Sequence, residues 1–260
     1  MNENKLNEYY NKFNEDKRLS RRHGIVEFET TIKYINYYLK KFNNPKILDI
    51  GAGTGKYSIY YANKNYDVTA IELVKHNLMV IKKRSNLVKS FLGNAKDLSK
   101  WPDETFDVVL LFGPMYHLIS FQEKLQALLE AKRVTKRNGL IFISYYMNEY
   151  AIIKHGFIDQ HIMTALANQK IDENFKIICC DDELYSMVRL EDINQLRKDA
   201  NLKRIKILAQ DGASDYIRRN LNALSEEEFA LYLKYHFSIC ERKELLGASS
   251  HVLDILRKVD

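Results

Sequence analysis

Cysteine, proline and glycine are all scarce in this chain of 260 residues, which contains three, three and ten of them. The cysteines Cys179, Cys180 and Cys240 form no CxxC pair and no Cys/His ligand set, so we expect reduced, non-catalytic thiols and no structural zinc. No Gly/Ser-rich or Pro-rich run indicates a flexible linker. We therefore expect one domain over residues 1–260, with any further module embedded in it.

A long hydrophobic run is also missing. The longest apolar stretch, "VVLLFGPMYHLI", is too short to cross a bilayer, and the polar, charged start of the chain is unlike a secretory signal. We expect a cytoplasmic protein with no membrane association. The net charge of +6 is mild and its lysines are spread along the chain, so it permits a nucleic-acid partner without requiring one.

The first pattern that the sequence does contain is a helical periodicity of apolar residues within residues 1–42. Two sets of apolar residues recur at helical spacing: Leu6, Tyr9, Tyr10 and Phe13, then Phe28, Ile32, Ile35, Leu39 and Phe42. The second set ends at Asn43-Asn44-Pro45, which is typical of a helix stop.

Short apolar runs then alternate with helix-length segments through residues 43–146. The predicted strands are 46–50, 67–72, 88–92, 106–112 and 139–146. Such continuous runs are typical of parallel strands buried on both faces, and the alternation predicts a doubly wound α/β sheet. The helix before the fifth strand has one apolar face and is predicted to end at Asn138-Gly139 in a C-cap.

Residues 147–188 break this rhythm and are too long and too aromatic for a simple connection, so we predict an embedded helical cap. Sheet-like order resumes over 189–260. We predict a helix around Ile193, strands at 203–209 and 251–257, and between them a helix that starts at a Ser225–Glu228 capping box.

The stretch "ILDIGAGTGKYS" places Gly51, Gly53 and Gly55 between the first strand and the next helix. A bare backbone at a helix N-terminus allows a nucleotide-like ligand close to the main chain and its amides. The dinucleotide fingerprint GxGxxG fails here because its sixth position is Lys56. Asp49, just before the glycines, is expected to orient the loop or contact a cationic ligand.

Two further signals follow the next two strands. Glu72 lies 21 residues after Gly51 and ends the second strand, where an acidic side chain can accept hydrogen bonds from both ribose hydroxyls. After the third strand, Asn94 and the amide of Ala95 are suited to an adenine edge. Each signal alone also fits an ordinary turn or a solvated carboxylate. Their order and spacing place them at one sheet edge, which favours a shared site.

Residues 45–145, through "ILDIGAGTG", "AIELV", "GNAKDL" and "FDVVLLFGPMYHL", resemble the class I S-adenosylmethionine-dependent methyltransferases of small molecules. The resemblance implies a Rossmann-like seven-stranded sheet whose strand seven is antiparallel, with S-adenosyl-L-methionine as cofactor and S-adenosyl-L-homocysteine as product. A dehydrogenase, the rival class, would need the sixth glycine and a different second half. The cofactor-binding residues implied by the resemblance are Asp49, Gly51, Gly53, Glu72, Leu73, Asn94, Ala95, Phe112 and Gly113.

The resemblance also directs attention to "FGPMYHLIS" after the fourth strand, where the family places the methionine end of the cofactor beside the acceptor. His117 is the candidate general base and Tyr116 a weaker catalytic candidate. A base is needed only if the acceptor must lose a proton. A helix cap or a core hydrogen bond is an equally simple role for His117.

In the N-terminal segment, Arg18, Arg21, Arg22 and His23 precede an amphipathic helix. Similar enzymes often lay an N-terminal aromatic or arginine side chain over the cofactor, and Tyr10 and Arg22 are our candidates. The alternative is a solvated basic turn with tyrosines that only pack the helix down.

The apolar, tyrosine-rich cap favours an enclosed pocket for a small-molecule methyl acceptor, with Tyr146 and Tyr150 in its wall and an O or N nucleophile. No metal is expected. The alternatives are an RNA (tRNA) methyltransferase, suggested by the run Lys82-Lys83-Arg84, and a non-catalytic cofactor-binding module. No motif indicates the oligomeric state.

Overall fold

The computed structural model describes residues 3–12, 21–180 and 183–260. Phe13 and Arg18, which entered the predictions above, lie outside these residues. Among the described residues, no helix combines the length and the apolar character needed to cross a membrane.

Seven strands form one sheet in the order β3-β2-β1-β4-β5-β7-β6. All neighbouring pairs from β3 to β5 are parallel, whereas β7 runs antiparallel between β5 and β6. This topology confirms the predicted Rossmann-like sheet with an antiparallel seventh strand. The strands are β1 (Lys46–Ile50), β2 (Asp67–Glu72), β3 (Lys89–Leu92), β4 (Phe106–Leu111), β5 (Thr135–Tyr146), β6 (Lys203–Ala209) and β7 (His251–Arg257).

Helices cover both faces and the carboxyl edge of the sheet. In chain order the described α-helices are α1 (Glu3–Lys12), α2 (Arg22–Leu39), α3 (Lys56–Ala62), α4 (Lys75–Arg84), α5 (Pro114–His117), α6 (Phe121–Val134), α7 (Asn148–Ala151), α8 (Ile162–Ala167), α9 (Leu190–Asp199), α10 (Arg218–Ala223) and α11 (Glu226–Ile239). A π-helix spans Ile152–Ile158 and a 3₁₀ turn spans Lys243–Leu245.

The hydrophobic core lies on both faces of the sheet, because the strand side chains that point to either face are apolar. In β1, Leu48 and Ile50 pack into one buried cluster and Ile47 into the other, and all three are fully buried. Burial of each such side chain contributes about 1.5–3 kcal/mol to the stability of the fold. The carboxyl ends of the parallel strands are thereby fixed at one edge, where the polar residues collect.

The helix α6 ends earlier than predicted. It stops at Val134, because the carbonyls of Arg133 and Val134 accept hydrogen bonds from the amides of Glu104 and Thr105, next to β4. The prediction of a C-cap at Asn138-Gly139 is therefore wrong. Asn138, with a φ of 64°, lies within the long strand β5 instead.

The segment predicted as a helical cap is helical only in its first half, through α7, the π-helix and α8. The described residues from 168 up to α9 form turns and irregular segments with isolated β-bridges. Asn148 holds this part in place, because its side chain accepts from the amide of Ile177 and donates to the carbonyl of Phe175. Backbone pairing replaces the expected helix here, with bridges between Ile171 and Ile177 and between Met147 and Val188.

Candidate functional site

The glycine loop turns sharply between β1 and α3. Gly51, Gly53 and Gly55 have φ angles of 69°, 57° and 86°, a region that favours glycine. A Cβ on Gly51 would lie 2.5 Å from Cδ of Pro114, so the loop packs tightly against α5. A Cβ on Gly53 would meet nothing within 4 Å. The loop therefore presents open backbone at Gly53, which lines a cavity.

This cofactor cavity is defined by residues that follow β1, β2, β3 and β4, together with α1. Its lining residues are Leu6, Tyr10, Gly51, Gly53, Glu72, Leu73, Asn77, Gly93, Asn94, Ala95, Gly113, Pro114, His117 and Leu118. Seven residues predicted to bind the cofactor are thus gathered here: Gly51, Gly53, Glu72, Leu73, Asn94, Ala95 and Gly113; Tyr10 joins them from α1.

Glu72 is the buried charge of the cofactor cavity, with 5% of its surface exposed. Its carboxylate accepts from the amide of Gly53 at 2.7 Å and from the amide of Val74 at 2.9 Å. Burial raises the pKa of Glu72 to about 7, and these amide hydrogen bonds oppose the rise. The same carboxylate therefore tethers the glycine loop and offers acceptor oxygens to hydroxyl groups of a ligand.

The raised pKa of Glu72 predicts that cofactor binding depends on pH. The ionised carboxylate accepts hydroxyl donors best, and with a pKa of about 7 it is mostly ionised above pH 7 and mostly protonated below. We expect the affinity for S-adenosylhomocysteine to fall by up to about tenfold between pH 8 and pH 6. Calorimetric titrations at both pH values measure this fall. The same fall in a folded Glu72→Gln variant would show that another group is responsible.

Asp49 does not line the cofactor cavity. It is 2% exposed and accepts a short hydrogen bond from the hydroxyl of Ser58 in α3. Burial raises its pKa to about 6. Of the two roles considered for Asp49, its contacts favour orienting the loop over touching a ligand.

His117, at the end of α5, is buried and faces the cofactor cavity. Its Nδ1 lies 2.8 Å from the carbonyl of Leu184, which can only accept, so Nδ1 carries the proton. Its Nε2 then accepts from the hydroxyl of Tyr10 at 2.8 Å. Burial lowers the pKa of His117 to about 4, which makes it a weak proton acceptor at neutral pH.

The helix α1 closes the cofactor cavity. Leu6 is buried in its wall, Tyr10 is bound to His117, and α1 packs against α4. The remaining cavity has a volume of about 60 Å³, whereas ligand pockets usually measure about 300–1,000 Å³. This volume is smaller than a nucleoside-sized cofactor needs, and α1 forms part of the wall that limits it.

We expect Tyr10→Phe to speed the release of S-adenosylhomocysteine by about 3- to 30-fold, because the hydrogen bond that holds α1 over the cavity is lost. Stopped-flow displacement measures the release rate. Tyr37→Phe, in which an exposed tyrosine of α2 is changed, is the matched control. An unchanged release rate would show that α1 does not gate the cavity.

A second, larger cavity of about 770 Å³ adjoins the first and shares Tyr10 with it. We call it the acceptor cavity. It is lined by Tyr9, Tyr10, Arg21, His23, Glu27, Tyr116, Tyr146, Tyr150, Lys154, His155, Asp159, Tyr185, Met187, Asp211, Ser214, Asp215, Arg218, Ser250 and His251. Tyr116, Tyr146 and Tyr150, selected from the sequence, all lie in its wall.

Aromatic rings dominate one side of the acceptor cavity. Tyr116, Tyr185, Tyr146 and His251 form a closed circuit in which neighbouring ring centroids are 5.4–6.2 Å apart. Tyr150 packs on Tyr146 and donates a short hydrogen bond to Asp215. Burial, reinforced by that bond, raises the pKa of the Tyr150 hydroxyl, so Tyr150 stays protonated.

Besides Asp49, two further residues predicted to bind the cofactor lie outside the cofactor cavity. Arg22 donates to the carbonyls of Leu221 and Leu224 and pairs with Glu226, because its guanidinium meets the end of α10 and the start of α11. Phe112 points into the core, where its ring lies 5.0 Å from that of Tyr57. Neither residue lines the two cavities.

Sequence reasoning missed most of the polar residues of the acceptor cavity, among them Glu27, Asp211 and His251. Asp211 lies two residues after the end of β6, a position similar to that of Glu72 at the end of β2, which the sequence analysis selected. His251 starts β7, and because β7 is antiparallel, its first residue lies at the carboxyl edge of the other strands. The predicted reversal of strand seven therefore indicated the sheet edge at which His251 lies, but not its neighbours there.

The chain resembles known methyltransferases in one segment of its sequence and in its fold. Residues 48–143 match a family described as a methyltransferase domain. An S-adenosylmethionine-dependent methyltransferase from Methanosarcina mazei has the same fold, with a TM-score of 0.58 and 17% identity over 87% of this chain and 97% of that one. The chain therefore contains a methyltransferase domain match over residues 48–143 within the fold of that enzyme.

Two relatives are similar in sequence. A demethylmenaquinone methyltransferase from Paenarthrobacter aurescens is 32% identical over 122 residues, 46% of each chain. A glycine/sarcosine N-methyltransferase from Aphanothece halophytica is 22% identical over 200 residues, 75% of this chain and 71% of that one. The chain thus spans about half the length of the first relative.

Proposed function

We propose that this protein transfers the methyl group of S-adenosyl-L-methionine to a small-molecule acceptor with an O or N nucleophile. The observation that carries the proposal is the pairing of two cavities. A glycine-lined cavity with a buried carboxylate adjoins a partly open cavity of about 770 Å³ with an aromatic wall, within the usual range for small ligands.

The residues of the cofactor cavity fit the cofactor. Gly53 leaves open the space that a Cβ would fill, and Glu72 has oxygens that can accept from ribose hydroxyls. Asn94 and Ala95 line the same cavity, which supports the proposed contact with the adenine. When bound, the cofactor supplies a methyl carbon activated by a sulfonium. The chain then contributes chiefly by holding the acceptor in line with that carbon and by excluding water.

The two catalytic candidates from the sequence face different cavities. Tyr116 lines the acceptor cavity, whereas His117 lies behind it and holds Tyr10. We propose that His117 positions α1 over the cofactor and that Tyr116 forms part of the acceptor wall.

An RNA acceptor is less well supported. The run Lys82-Lys83-Arg84 ends α4, which starts at the carboxyl edge after β2 and returns to the opposite edge. The basic run therefore lies far from both cavities. Among the N-terminal arginines, Arg22 is held by α10 and α11.

A transfer assay tests the proposal. The full chain is incubated with methyl-labelled cofactor and either a pooled small-molecule extract or bulk tRNA. We expect label in the small-molecule fraction and no salt-sensitive tRNA complex in gel shifts between about 50 and 200 mM salt. Label in tRNA alone would promote the RNA alternative, and binding without any transfer would favour a non-catalytic module.

A further inference from the structure

The segment of residues 184–188 lies between the two cavities. Nδ1 of His117, in the wall of the cofactor cavity, donates to the carbonyl of Leu184 at 2.8 Å. The next residue, Tyr185, lines the acceptor cavity, and so does Met187. The ring centroids of Tyr185 and His117 are 5.0 Å apart. The 184–188 segment therefore contacts the cofactor cavity through its backbone and the acceptor cavity through its side chains.

Positions along this segment alternate between two roles. The amide of Ser186 donates to the carbonyl of Tyr116 at 2.8 Å, and the amide of Val188 donates to the carbonyl of Tyr146 at 2.9 Å. Ser186 and Val188 are buried, whereas the two positions that precede them face the acceptor cavity. The segment is thus fixed to the ends of α5 and β5 at every second residue, and its intervening side chains form part of the cavity wall.

A buried ammonium group holds the middle of the segment. Lys124 of α6 is 2% exposed, and its Nζ donates to the hydroxyl of Ser186 at 2.6 Å. Nζ also donates to the carbonyl of Ile119 at 3.3 Å and, in a short hydrogen bond, to that of Leu118. Leu118 and Ile119 belong to the connection between α5 and α6. One side chain therefore joins α6, this connection and the 184–188 segment.

The burial of this ammonium group has a cost in free energy. Burial lowers the pKa of Lys124 to about 8, so at neutral pH the group is still mostly protonated. Its three N–H donors then match the three oxygens around it. A methionine side chain would fill the same space without this cost, but it would bond to none of these oxygens. A lysine at this position therefore favours a role in holding the segment over a role in packing alone.

The two side chains that the segment presents to the acceptor cavity differ in their freedom. The hydroxyl of Tyr185 donates to that of Tyr9 in α1 at 3.0 Å, which ties this ring to the helix. Met187 carries no hydrogen-bond donor, and its partly buried side chain packs against the core. Methionine is flexible and adapts to irregular apolar surfaces. Met187 is therefore the side chain of the segment best suited to pack on an apolar group of an acceptor.

We infer that the 184–188 segment determines which acceptors fit, with Met187 as the specificity-determining side chain and Lys124 as the positioning residue that fixes it. The inference rests on the proposed function and deepens it. The acceptor carries an apolar group that packs on Met187, so this wall selects acceptors by size and apolar contact and not by charge. Lys124 acts on the acceptor only through Ser186 and the segment.

Changing the size of the side chain of Met187 tests the specificity. The full chain, Met187→Ala and Met187→Phe are each incubated with methyl-labelled cofactor and a pooled small-molecule extract, and the masses of the labelled products are compared. We expect Met187→Ala to label bulkier molecules. For the largest acceptor of the wild type, we expect Met187→Phe to lower kcat/KM by about 10-fold or more. The affinity for S-adenosylhomocysteine should stay unchanged in both variants.

Met79→Ala is the matched control, because Met79 is an exposed methionine of α4 that is not among the residues lining the two cavities. It should give the products of the wild type. The same labelled products at the same relative rates from the wild type, Met187→Ala and Met187→Phe would overturn the inference.

Ser186→Ala tests the positioning role. It removes one bond of Lys124 and leaves the two carbonyl contacts of the ammonium in place. For the acceptor that gives the most abundant labelled product, we expect KM to rise by about 3- to 30-fold. Its kcat and the affinity for S-adenosylhomocysteine should change less than twofold. Lys124→Met should raise KM at least as much, and the double variant should add nothing to Lys124→Met, because both changes remove the same bond.

Hydrogen exchange gives a readout that needs no acceptor. In Lys124→Met we expect the amides of Ser186 and Val188 to exchange about 10- to 100-fold faster, because the segment loses its bond to a charged group. Wild-type exchange in that variant, or a wild-type KM in Ser186→Ala, would overturn the positioning role. Equal losses of acceptor and S-adenosylhomocysteine affinity in Ser186→Ala would show a general structural role and overturn it as well.

Failure of the inference and failure of the proposed function give different results. If the wild type binds S-adenosylhomocysteine but labels no small molecule, the proposed function is defeated and the inference with it. If the wild type labels small molecules but its product pattern does not respond to the size of the side chain at Met187, the inference alone is overturned. We expect labelled products from the wild type and a pattern that shifts toward bulkier molecules in Met187→Ala.

Discussion

Replacement of Glu72 by alanine is expected to weaken S-adenosylhomocysteine binding by about 1–3 kcal/mol, or roughly 5- to 150-fold in Kd. Two effects combine in this loss. The ribose hydroxyls lose a buried acceptor, and the amide of Gly53 loses the carboxylate that holds the glycine loop. Calorimetric titration of the folded variant measures the change.

The matched control for this variant is Asp67→Ala, at the other end of β2. Asp67 pairs with Lys89 on the surface, 39% exposed, so its removal should leave the affinity unchanged. Wild-type affinity in a folded Glu72→Ala variant would contradict the ribose assignment. Tighter binding of a nicotinamide dinucleotide than of S-adenosylhomocysteine would contradict the role of the whole cavity.

Gly51→Ala is expected to lower the free energy of unfolding by about 2–5 kcal/mol. A φ of 69° costs an alanine about 1–2 kcal/mol, and a Cβ 2.5 Å from Pro114 adds about 1–3 kcal/mol of overpacking. Pro114 begins α5 and its ring is rigid, so it cannot yield as a flexible side chain would. Urea unfolding monitored by circular dichroism measures the loss.

Gly53→Ala provides the comparison, because its φ is also positive but its Cβ meets no atom within 4 Å. We expect a stability loss of only about 1–2 kcal/mol, together with a marked loss of S-adenosylhomocysteine affinity, since the new methyl group enters the cofactor cavity. Equal stability losses in the two variants would show that contact with Pro114 is not what makes Gly51 necessary.

The sheet could be predicted from the sequence because its strands are short apolar runs separated by helical patterns. The bounds of β1, β2, β6 and β7 agree with the prediction to the residue. The Ser225–Glu228 capping box was also predictable, because it depends on local side-chain chemistry alone.

The errors arose where distant contacts decide the local structure. Strand β5 begins before Asn138 because the amides of Glu104 and Thr105 bond to the last carbonyls of α6 and end that helix. The second half of the cap is irregular instead of helical, and the side chain of Asn148 bonds to its backbone at Phe175 and Ile177. Arg22 was selected because it lies in the basic N-terminal segment, whereas the residues that bind its guanidinium lie about two hundred positions further along the chain.

The candidate site divides in the same way. Its cofactor half follows from residues just after consecutive strands, a relation that one sequence shows directly. Its acceptor half joins Glu27, Asp211 and His251, which only the folded chain brings together. Tyr146 and Tyr150 were predictable as wall residues because they follow β5 at the same edge.

Mass spectrometry of the reaction with a deuterium-labelled methyl donor is the most direct test of the paired cavities. The purified chain would be incubated with the labelled cofactor and a pooled small-molecule extract. We predict stoichiometric formation of S-adenosylhomocysteine and of a labelled small molecule, both lost in the Glu72→Ala variant under limiting cofactor. S-adenosylhomocysteine that binds at the glycine loop while no small molecule ever acquires the label would contradict the assignment of the second cavity to a methyl acceptor.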